Sequence, residues 1–414
     1  MKMRSFDHGP FITRKTALPN GLTVISVNTG SQFACVRVSL RAGSFHDECT
    51  GRGYLLEHLI GEGPARKHGV HPRMKPFFLT GIEEMASTGI AFVNYQVTCR
   101  AEYAYQILHA LMDTVLNLDF GEQEFRDERD VVLEEIRRSW VPDEYLRRTS
   151  EVQYPSNAWL HHSAAWTQDV VENLSMADVI RLHGELYSAK NMVVTVSGGV
   201  EHDRAVDLLA GVSVPAHEVD VSVVSSPNLE LCELTLASPR FDPRTCMYFR
   251  CPEDPSEVAV LGFVGSLLED FTYGPLYKAL RRDLPFVYGL GFALTDRIQS
   301  RVDIVVETDP QRFELVEDRA RSAISAFLQG DWHPDLMEAV RNRELNQALS
   351  VDEALSSTAS YSVRADFMET CWLEDEWFSV DDPELYRSIT KEQVLEVANR
   401  WLDLESCGVV RSSY

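Results

Sequence analysis

The sequence predicts an α+β protein made of two similar domains, each a sheet with helices packed on one face. Runs with the two-residue period of strands are mixed along the chain with longer amphipathic runs typical of helices. A helix signal followed by a short β-like run occurs near the middle of the chain and again at its end. With 414 residues, the chain is long enough for two or three domains that each bury a core.

Strand and helix signals follow one another from the amino terminus. Turn residues at 19–21 precede a β-branched, apolar run at 22–27, and residues 35–40 alternate between apolar and polar side chains. Longer amphipathic patterns at 107–116 and 122–140 predict helices. This mixed order favours α+β domains over an all-helical or all-strand architecture.

Two helix starts of the same kind lie 215 residues apart, which suggests a duplicated domain. Ser175 and Thr390 each stand directly before a predicted helix, where the N-cap residue is expected. Asp178 and Gln393 follow three residues later, as in a capping box, with Asp178 a looser variant.

The stretch between the two halves has the composition of a linker. Residues 212–218 and 225–228 contain prolines and serines and show little periodicity. The predicted domains are therefore residues 1–215 and 228–414.

The bulk composition restricts the expected partners. Hydrophobic residues make up 44% and charged residues 25% of the chain, as in ordinary globular proteins, and the formal net charge is −24. This charge disfavours nucleic acid and anionic membrane surfaces, both of which attract basic patches. The amino terminus lacks the apolar run of a signal peptide and no stretch approaches ~20 apolar residues, so a cytoplasmic location is expected.

The pentapeptide Tyr54-Leu55-Leu56-Glu57-His58 carries the strongest functional signal. It matches the inverted zinc-protease motif His-x-x-Glu-His, except that a tyrosine stands where the motif has its first histidine. On a helix, the three polar positions share one face within about one turn. A further candidate metal ligand, Glu135, follows after 76 intervening residues.

A tyrosine is a poor replacement for a zinc-bound histidine. Catalytic zinc takes three protein ligands and leaves a fourth position for water. The phenol of Tyr54 has an unperturbed pKa of about 10, so ionising it at pH 7 costs roughly 4 kcal/mol unless a metal offsets that cost. We therefore expect weak zinc binding or none in this chain, with Glu57 a vestigial general base.

Several segments resemble, in sequence and in order, the inverzincin peptidases of the insulinase/pitrilysin group. The likeness spans nearly the whole chain and is strongest to short chains similar to mitochondrial processing peptidase. Besides the pentapeptide, the segments are Arg41-Ala42-Gly43-Ser44, Ala86-Ser87-Thr88 before 91–95, Glu128 to Ile136, the helix and strand signals from Leu174 to Val194, and Leu280-Arg281 followed by Tyr288-Gly289.

The resemblance implies two homologous domains, each a mainly antiparallel sheet with helices packed on one face, arranged as half of a clamshell. It assigns His58 and Glu135 as metal ligands and Glu128 as a supporting carboxylate. Arg281 and Tyr288 resemble the pair with which these enzymes hold substrate. The arginine can donate to a substrate carbonyl and the tyrosine to the oxyanion of a tetrahedral intermediate.

These features predict a non-catalytic, degenerate subunit of a heterodimeric zinc metallopeptidase that processes peptides. This chain would supply a chamber wall and the Arg281/Tyr288 pair. A paralogous partner with an intact motif would hold the zinc.

Two other functions stay open. An autonomous zinc metallopeptidase would need Tyr54, a loop histidine such as His68 or His71, or the more distant Cys49 to complete the metal site. A structural scaffold, similar to the core subunits of respiratory complexes, would need no such site. The retained arginine/tyrosine pair argues against the scaffold.

Overall fold

The fold is α+β, with two compact units that are each built on one sheet, which confirms the predicted fold class. The computed structural model describes residues 2–8, 11–46, 51–89, 91–139, 144–156, 168–220, 228–237, 242–294, 301–355 and 383–413.

Seven strands form the sheet of the first unit, in the order β1-β2-β3-β7-β4-β6-β5. The pair β3/β7 is parallel and the other neighbouring strands of this sheet run antiparallel. The sheet is therefore mainly antiparallel, as expected. The strands are β1 Lys2–His8, β2 Phe11–Ala17, β3 Thr23–Asn28, β4 Phe33–Leu40, β5 Glu83–Thr88, β6 Val93–Arg100 and β7 Met192–Gly198.

Five strands form the sheet of the second unit, in the order β10-β11-β9-β12-β8, and only the pair β12/β8 among them is parallel. This order repeats the order β5-β6-β4-β7-β3 of the first sheet. In the first unit β7 lies between β3 and β4, and in the second unit β12 lies between β8 and β9. The repeat confirms the predicted duplication. The strands are β8 Glu233–Ala237, β9 Arg244–Arg250, β10 Gly289–Leu294, β11 Arg301–Glu307 and β12 Gly408–Ser413.

Helices connect the strands in both units, and none within the described residues is long and apolar enough to cross a bilayer. The α-helices are α1 Arg52–Gly61, α2 Gly63–His68, α3 Ala104–Leu116, α4 Glu122–Ser139, α5 Glu144–Gln153, α6 Gln168–Asn173, α7 Met176–Leu186, α8 His202–Ala210, α9 Pro255–Leu268, α10 Pro275–Tyr277, α11 Phe313–Leu328, α12 Leu336–Leu355, α13 Pro383–Ser388 and α14 Lys391–Trp401.

Both predicted capping boxes are formed. The side chain of Ser175 accepts from the backbone N–H of Asp178, whose carboxylate accepts from the backbone N–H of Ser175. Thr390 and Gln393 make the same reciprocal pair at the start of α14. These contacts satisfy backbone donors that the first turn of a helix leaves free.

Helix α5 packs in the second unit, although its sequence lies within the first predicted half. The backbone N–H of Glu230 donates to the carbonyl of Gln153 at 2.8 Å. Arg301 of β11 also donates to the side-chain oxygen of Gln153. Local periodicity could not predict this placement, because it depends on contacts between residues far apart in the sequence.

Candidate functional site

The pentapeptide lies in helix α1. Close packing fixes the rotation of this helix about its own axis. Leu55 and Leu56 are fully buried in the core of the first unit. The chain enters the helix through Gly51, whose φ of 121° favours glycine. At Gly53, a Cβ atom would stand 2.9 Å from the carbonyl oxygen of Ala42. This tight entry helps to hold the polar side chains of the pentapeptide toward α4.

Helix α4 supplies the two carboxylates predicted for the site. Glu128 and Glu135 lie two turns apart on one face. Glu128 is fully buried, whereas the side chain of Glu135 is 43% exposed. Both reach His58: its Nδ1 lies 3.5 Å from Glu128 Oε2, and its Nε2 lies 3.6 Å from Glu135 Oε2. The predicted ligands and the supporting carboxylate are thus brought together.

Tyr54 makes its own contact with Glu135. The phenol hydroxyl donates to Glu135 Oε2 at 2.6 Å, the same oxygen that faces His58 Nε2. The Tyr54 ring packs edge to face against the His58 ring, with centroids 4.6 Å apart. Burial, the hydrogen bond to Glu135, and the negative charges of Glu135 and Glu57 raise the pKa of Tyr54. The phenol is therefore neutral and acts as a donor.

His58 is surrounded by carboxylates that favour its charged form. Burial by itself would lower the pKa of His58. The hydrogen bond with Glu128 and the negative charges of Glu57 and Glu135 outweigh burial, so that the pKa of His58 is raised. A histidine must be neutral to bind a metal ion, so a raised pKa means that a metal ion at His58 competes with a proton.

Arg66, which the sequence analysis did not single out, neutralises the buried Glu128. It reaches Glu128 from α2 and forms an ion pair with it. Burial would raise the pKa of Glu128, but the hydrogen bonds from His58 and Arg66 outweigh burial and lower that pKa. The two partners are 62 residues apart in sequence, so no spacing rule pointed to the pair.

Thr88 at the end of β5 positions the predicted general base. Its hydroxyl donates to Glu57 Oε2 at 2.8 Å. Burial raises the pKa of Glu57 more than this hydrogen bond lowers it. Thr88 belongs to a segment that resembles the family, yet nothing in the sequence paired it with Glu57.

The donor set does not fit a catalytic zinc. Two ligands of a tetrahedral zinc lie about 3.3 Å apart, and the 3.6 Å between His58 Nε2 and Glu135 Oε2 is close to that spacing. The Tyr54 oxygen lies 2.6 Å from Glu135 Oε2, which is closer than two ligands of one zinc, because the phenol donates a hydrogen bond to the carboxylate. Two ligands remain where three are needed. In the part of the chain that the structure describes, no group of three His, Cys, Asp or Glu side chains is arranged to hold a metal.

The residues considered as substitutes for the missing ligand have other surroundings. His68 pairs with Asp119 at 3.3 Å. His71 is buried and lines a cavity together with Glu62. Neither histidine joins the others in a metal-holding group among the described residues. Cys49 lies outside those residues.

The predicted substrate-binding pair lies in the second unit, where its two members are linked through the backbone. Arg281 lies in a π-helical turn, Lys278–Arg282, and its guanidinium donates to the carbonyl of Val287. The next residue, Tyr288, has its backbone N–H bonded to the carbonyl of Glu307 at 2.9 Å and is 73% exposed. Substrate binding by this pair stays a prediction.

Two models of one family match the chain. Residues 23–164 match the insulinase family (peptidase family M16), and residues 173–344 match the peptidase M16 inactive domain. Together they cover most of the 414 residues.

Curated relatives of several kinds are similar over about half of this chain. Zinc protease PqqE of Helicobacter pylori is 27% identical over 200 residues, 46% of this chain and 44% of that protein. Mitochondrial-processing peptidase subunit beta of Rattus norvegicus is 26% identical over 238 residues, 54% and 46% of the two chains. Cytochrome b-c1 complex subunit 1 of Bos taurus is 28% identical over 203 residues, 47% and 41%. The matches span less than half the length of each relative.

Solved structures show the same fold over nearly the full chain. A protease from Helicobacter pylori superposes with a TM-score of 0.79 and 18% identity, covering 97% of this chain and 99% of that one. The first half of the periplasmic protease PqqL from Escherichia coli gives a TM-score of 0.76 at 16% identity, covering 99% and 93%. Because the Escherichia coli protein is named as a periplasmic protease, the cytoplasmic location expected for this chain stays a prediction. The two family models together show that this chain belongs to the insulinase family, peptidase family M16.

Proposed function

We propose that this chain is a non-catalytic subunit of a heterodimeric zinc metallopeptidase that processes peptides. One observation carries the proposal: Tyr54 donates to Glu135 Oε2, the oxygen that would otherwise bind metal beside His58. A neutral phenol leaves the site one ligand short of the three that catalytic zinc takes. Glu57 then lacks a metal-activated water to deprotonate.

The other residues of the site would keep a structural role. His58, Glu128 and Arg66 form a chain of charge-assisted contacts that joins α1, α4 and α2. Removing one member of a buried charge pair leaves the other uncompensated, which is strongly destabilising. Their presence is therefore consistent with a chain that does not itself catalyse.

The contribution of this chain to the reaction would be substrate binding in a chamber wall. Tyr288 is largely exposed, and its hydroxyl makes no hydrogen bond within the described residues, so it can donate to a peptide. Arg281 fixes the backbone next to it through Val287. A guanidinium has five N–H donors, which leaves several for a substrate carbonyl.

A paralogous partner would carry the intact His-x-x-Glu-His motif and the zinc. Similarity to a protein named as subunit beta of a processing peptidase, and to one named as a zinc protease, supports an assembly of this kind. Peptides are the expected substrates.

Co-expression with an intact-motif paralogue tests the proposal. We expect the isolated chain to be inactive and the reconstituted pair to cleave a fluorogenic peptide library. Arg281→Ala and Tyr288→Phe should each lower kcat/KM of the pair by about tenfold or more, since each removes a donor to the substrate. Arg282→Ala is the matched control, because that neighbouring arginine bonds the carbonyl of Phe271 instead.

A structural scaffold is the second candidate, favoured by the similarity to cytochrome b-c1 complex subunit 1. A scaffold would be required for assembly and would contribute no substrate contact. It would replace the first proposal if Arg281→Ala and Tyr288→Phe left the cleavage rate of the pair unchanged.

A further inference from the structure

A cavity of about 350 Å³ opens in the first unit at the end of α1. Its walls come from the α1–α2 junction, the loop after α2 and the strands β5 and β6. The volume is at the low end of the range for ligand pockets, about 300–1,000 Å³. Phe78 and Met85, which line the cavity, are largely exposed, so it is open to solvent.

His71 provides a buried polar group inside this cavity. The residue is only 5% exposed. Within the described residues, neither ring nitrogen makes a hydrogen bond of normal geometry, although the backbone of Ile60 approaches the ring. Burial is the main reason that the pKa of His71 is lowered, so the imidazole is neutral and offers one nitrogen as an acceptor. A ligand with an N–H donor would satisfy it.

Two carboxylates give the cavity a negative charge, and the nearby charge of Arg66 acts on Glu62. Glu62 and Glu84 both line it, and among the residues that the structure describes neither carboxylate has a hydrogen bond or an ion pair. Glu84 is exposed as a residue, but partial desolvation of its carboxyl group and the charge of Glu62 raise its pKa. The neighbouring cations are already paired: Arg66 with Glu128, Lys67 with Asp119, and Arg73 with Asp113.

We propose that this cavity binds the basic side chain, lysine or arginine, of an extended peptide. Met74 and Val97 provide apolar surface for the alkyl stem, while Glu62 and Glu84 attract the charge and His71 accepts an N–H. The inference rests on the proposed peptide-processing function and names a preference of its substrates.

The position of β5 explains why the occupant is a peptide. This strand carries Glu84 and Met85 and lies at the edge of the seven-stranded sheet. An edge strand leaves backbone groups free to pair with an added extended chain. A peptide running along β5 could therefore insert one side chain into the cavity.

Three matched peptides test the assignment on the purified chain. Labelled seven-residue peptides of alanine and threonine carry lysine, norleucine or glutamate at the centre, and fluorescence anisotropy gives the Kd of each. Norleucine keeps the alkyl stem without the charge. We expect the lysine peptide to bind about tenfold more tightly than the norleucine peptide, and the glutamate peptide to bind most weakly.

Variants separate the cavity from the overall charge of −24. Glu62→Gln and Glu84→Gln should each weaken binding of the lysine peptide by about threefold, with little effect on the norleucine peptide. Glu83→Gln is the matched control, since Glu83 is an exposed neighbour in β5 that does not line the cavity. His71→Phe fills the cavity and should remove the lysine preference.

Equal binding of the lysine and norleucine peptides would overturn the inference, as would the absence of binding by either. Equal weakening by Glu83→Gln and Glu84→Gln would also overturn it, because the attraction would then come from net charge alone. None of these results would contradict the subunit proposal, which is read from cleavage by the reconstituted pair and its dependence on Arg281 and Tyr288.

Discussion

The hydroxyl group of Tyr54 determines the chemistry of the candidate metal site. It donates a hydrogen bond to the oxygen of Glu135 that a metal would bind, and the two oxygens lie 2.6 Å apart. The meeting of the pentapeptide with Glu128 and Glu135 could be predicted, because a family motif and the helical period fix which side chains share a face. The Tyr54–Glu135 hydrogen bond could not be predicted from the sequence, since it depends on the distance between helices α1 and α4. Arg66 was missed for the same reason.

Removing the hydroxyl measures what this hydrogen bond contributes. Tyr54→Phe keeps the ring against His58 and deletes the donor to Glu135. Glu135 is partly exposed and water can replace the donor, so we expect the free energy of unfolding to fall by about 1 kcal/mol in urea titrations. Tyr103→Phe is the control, because the hydroxyl of this half-buried tyrosine makes no hydrogen bond among the described residues. Equal losses in both variants would contradict the assignment.

At the scale of the elements, helix starts were the features best predicted from local sequence. A capping box needs only residues three positions apart, and both boxes formed. Helix α4 begins at its predicted first residue, Glu122, and is described as far as Ser139; the last predicted residue, Trp140, lies outside the described residues. Packing partners are not encoded locally, which is why the placement of α5 in the second unit was not anticipated.

The caps give a prediction for each repeat. Ser175→Ala and Thr390→Ala each remove the acceptor for a backbone N–H in the first turn, and each should lower the free energy of unfolding by about 1 kcal/mol. Urea denaturation followed by circular dichroism measures the change. Ser213→Ala, at an exposed serine outside any helix, should have no effect. The prediction would be wrong if Ser213→Ala lowered the free energy of unfolding as much as the two cap variants do.

The carboxyl-terminal end of α9 carries a carboxylate in an unfavourable place. The Oε1 atom of Glu269 is buried and has no hydrogen-bond partner within the described part of the chain. Burial raises the pKa of Glu269 to about 7, against the opposing effects of the Phe292 N–H and the charge of Arg343. The helix dipole also disfavours a negative charge at this end.

Stability should therefore depend on pH through Glu269. Its pKa in the folded state exceeds the ordinary value of 4.5, so the native state binds more protons between pH 4.5 and about 7. The free energy of unfolding should fall as pH rises through this window. Glu269→Gln should remove that fall and stabilise the protein at pH 8, as measured by urea unfolding. The exposed Glu253→Gln should keep the wild-type profile, and an unchanged profile in Glu269→Gln would refute the assignment.

At the scale of the whole molecule, one five-strand pattern occurs twice while the candidate functions differ between its copies. The first unit holds the Tyr54 site, and the second holds Arg281 and Tyr288. Two candidate capping boxes 215 residues apart, each followed by a β-like run, suggested the duplication. The strand order was not predictable, because the insertion of the last strand between two early ones is a long-range pairing that local periodicity does not contain.

The zinc content of the purified chain alone, before and after Tyr54→His, tests the central claim most directly. This substitution removes the donor to Glu135 and supplies the third ligand beside His58 and Glu135. Elemental analysis after exposure to equimolar zinc should give about one ion per chain for Tyr54→His and far less for the wild type. Adding His58→Ala to the variant should abolish the gain. A wild-type chain that holds a full equivalent of zinc and cleaves peptides unaided would contradict the account.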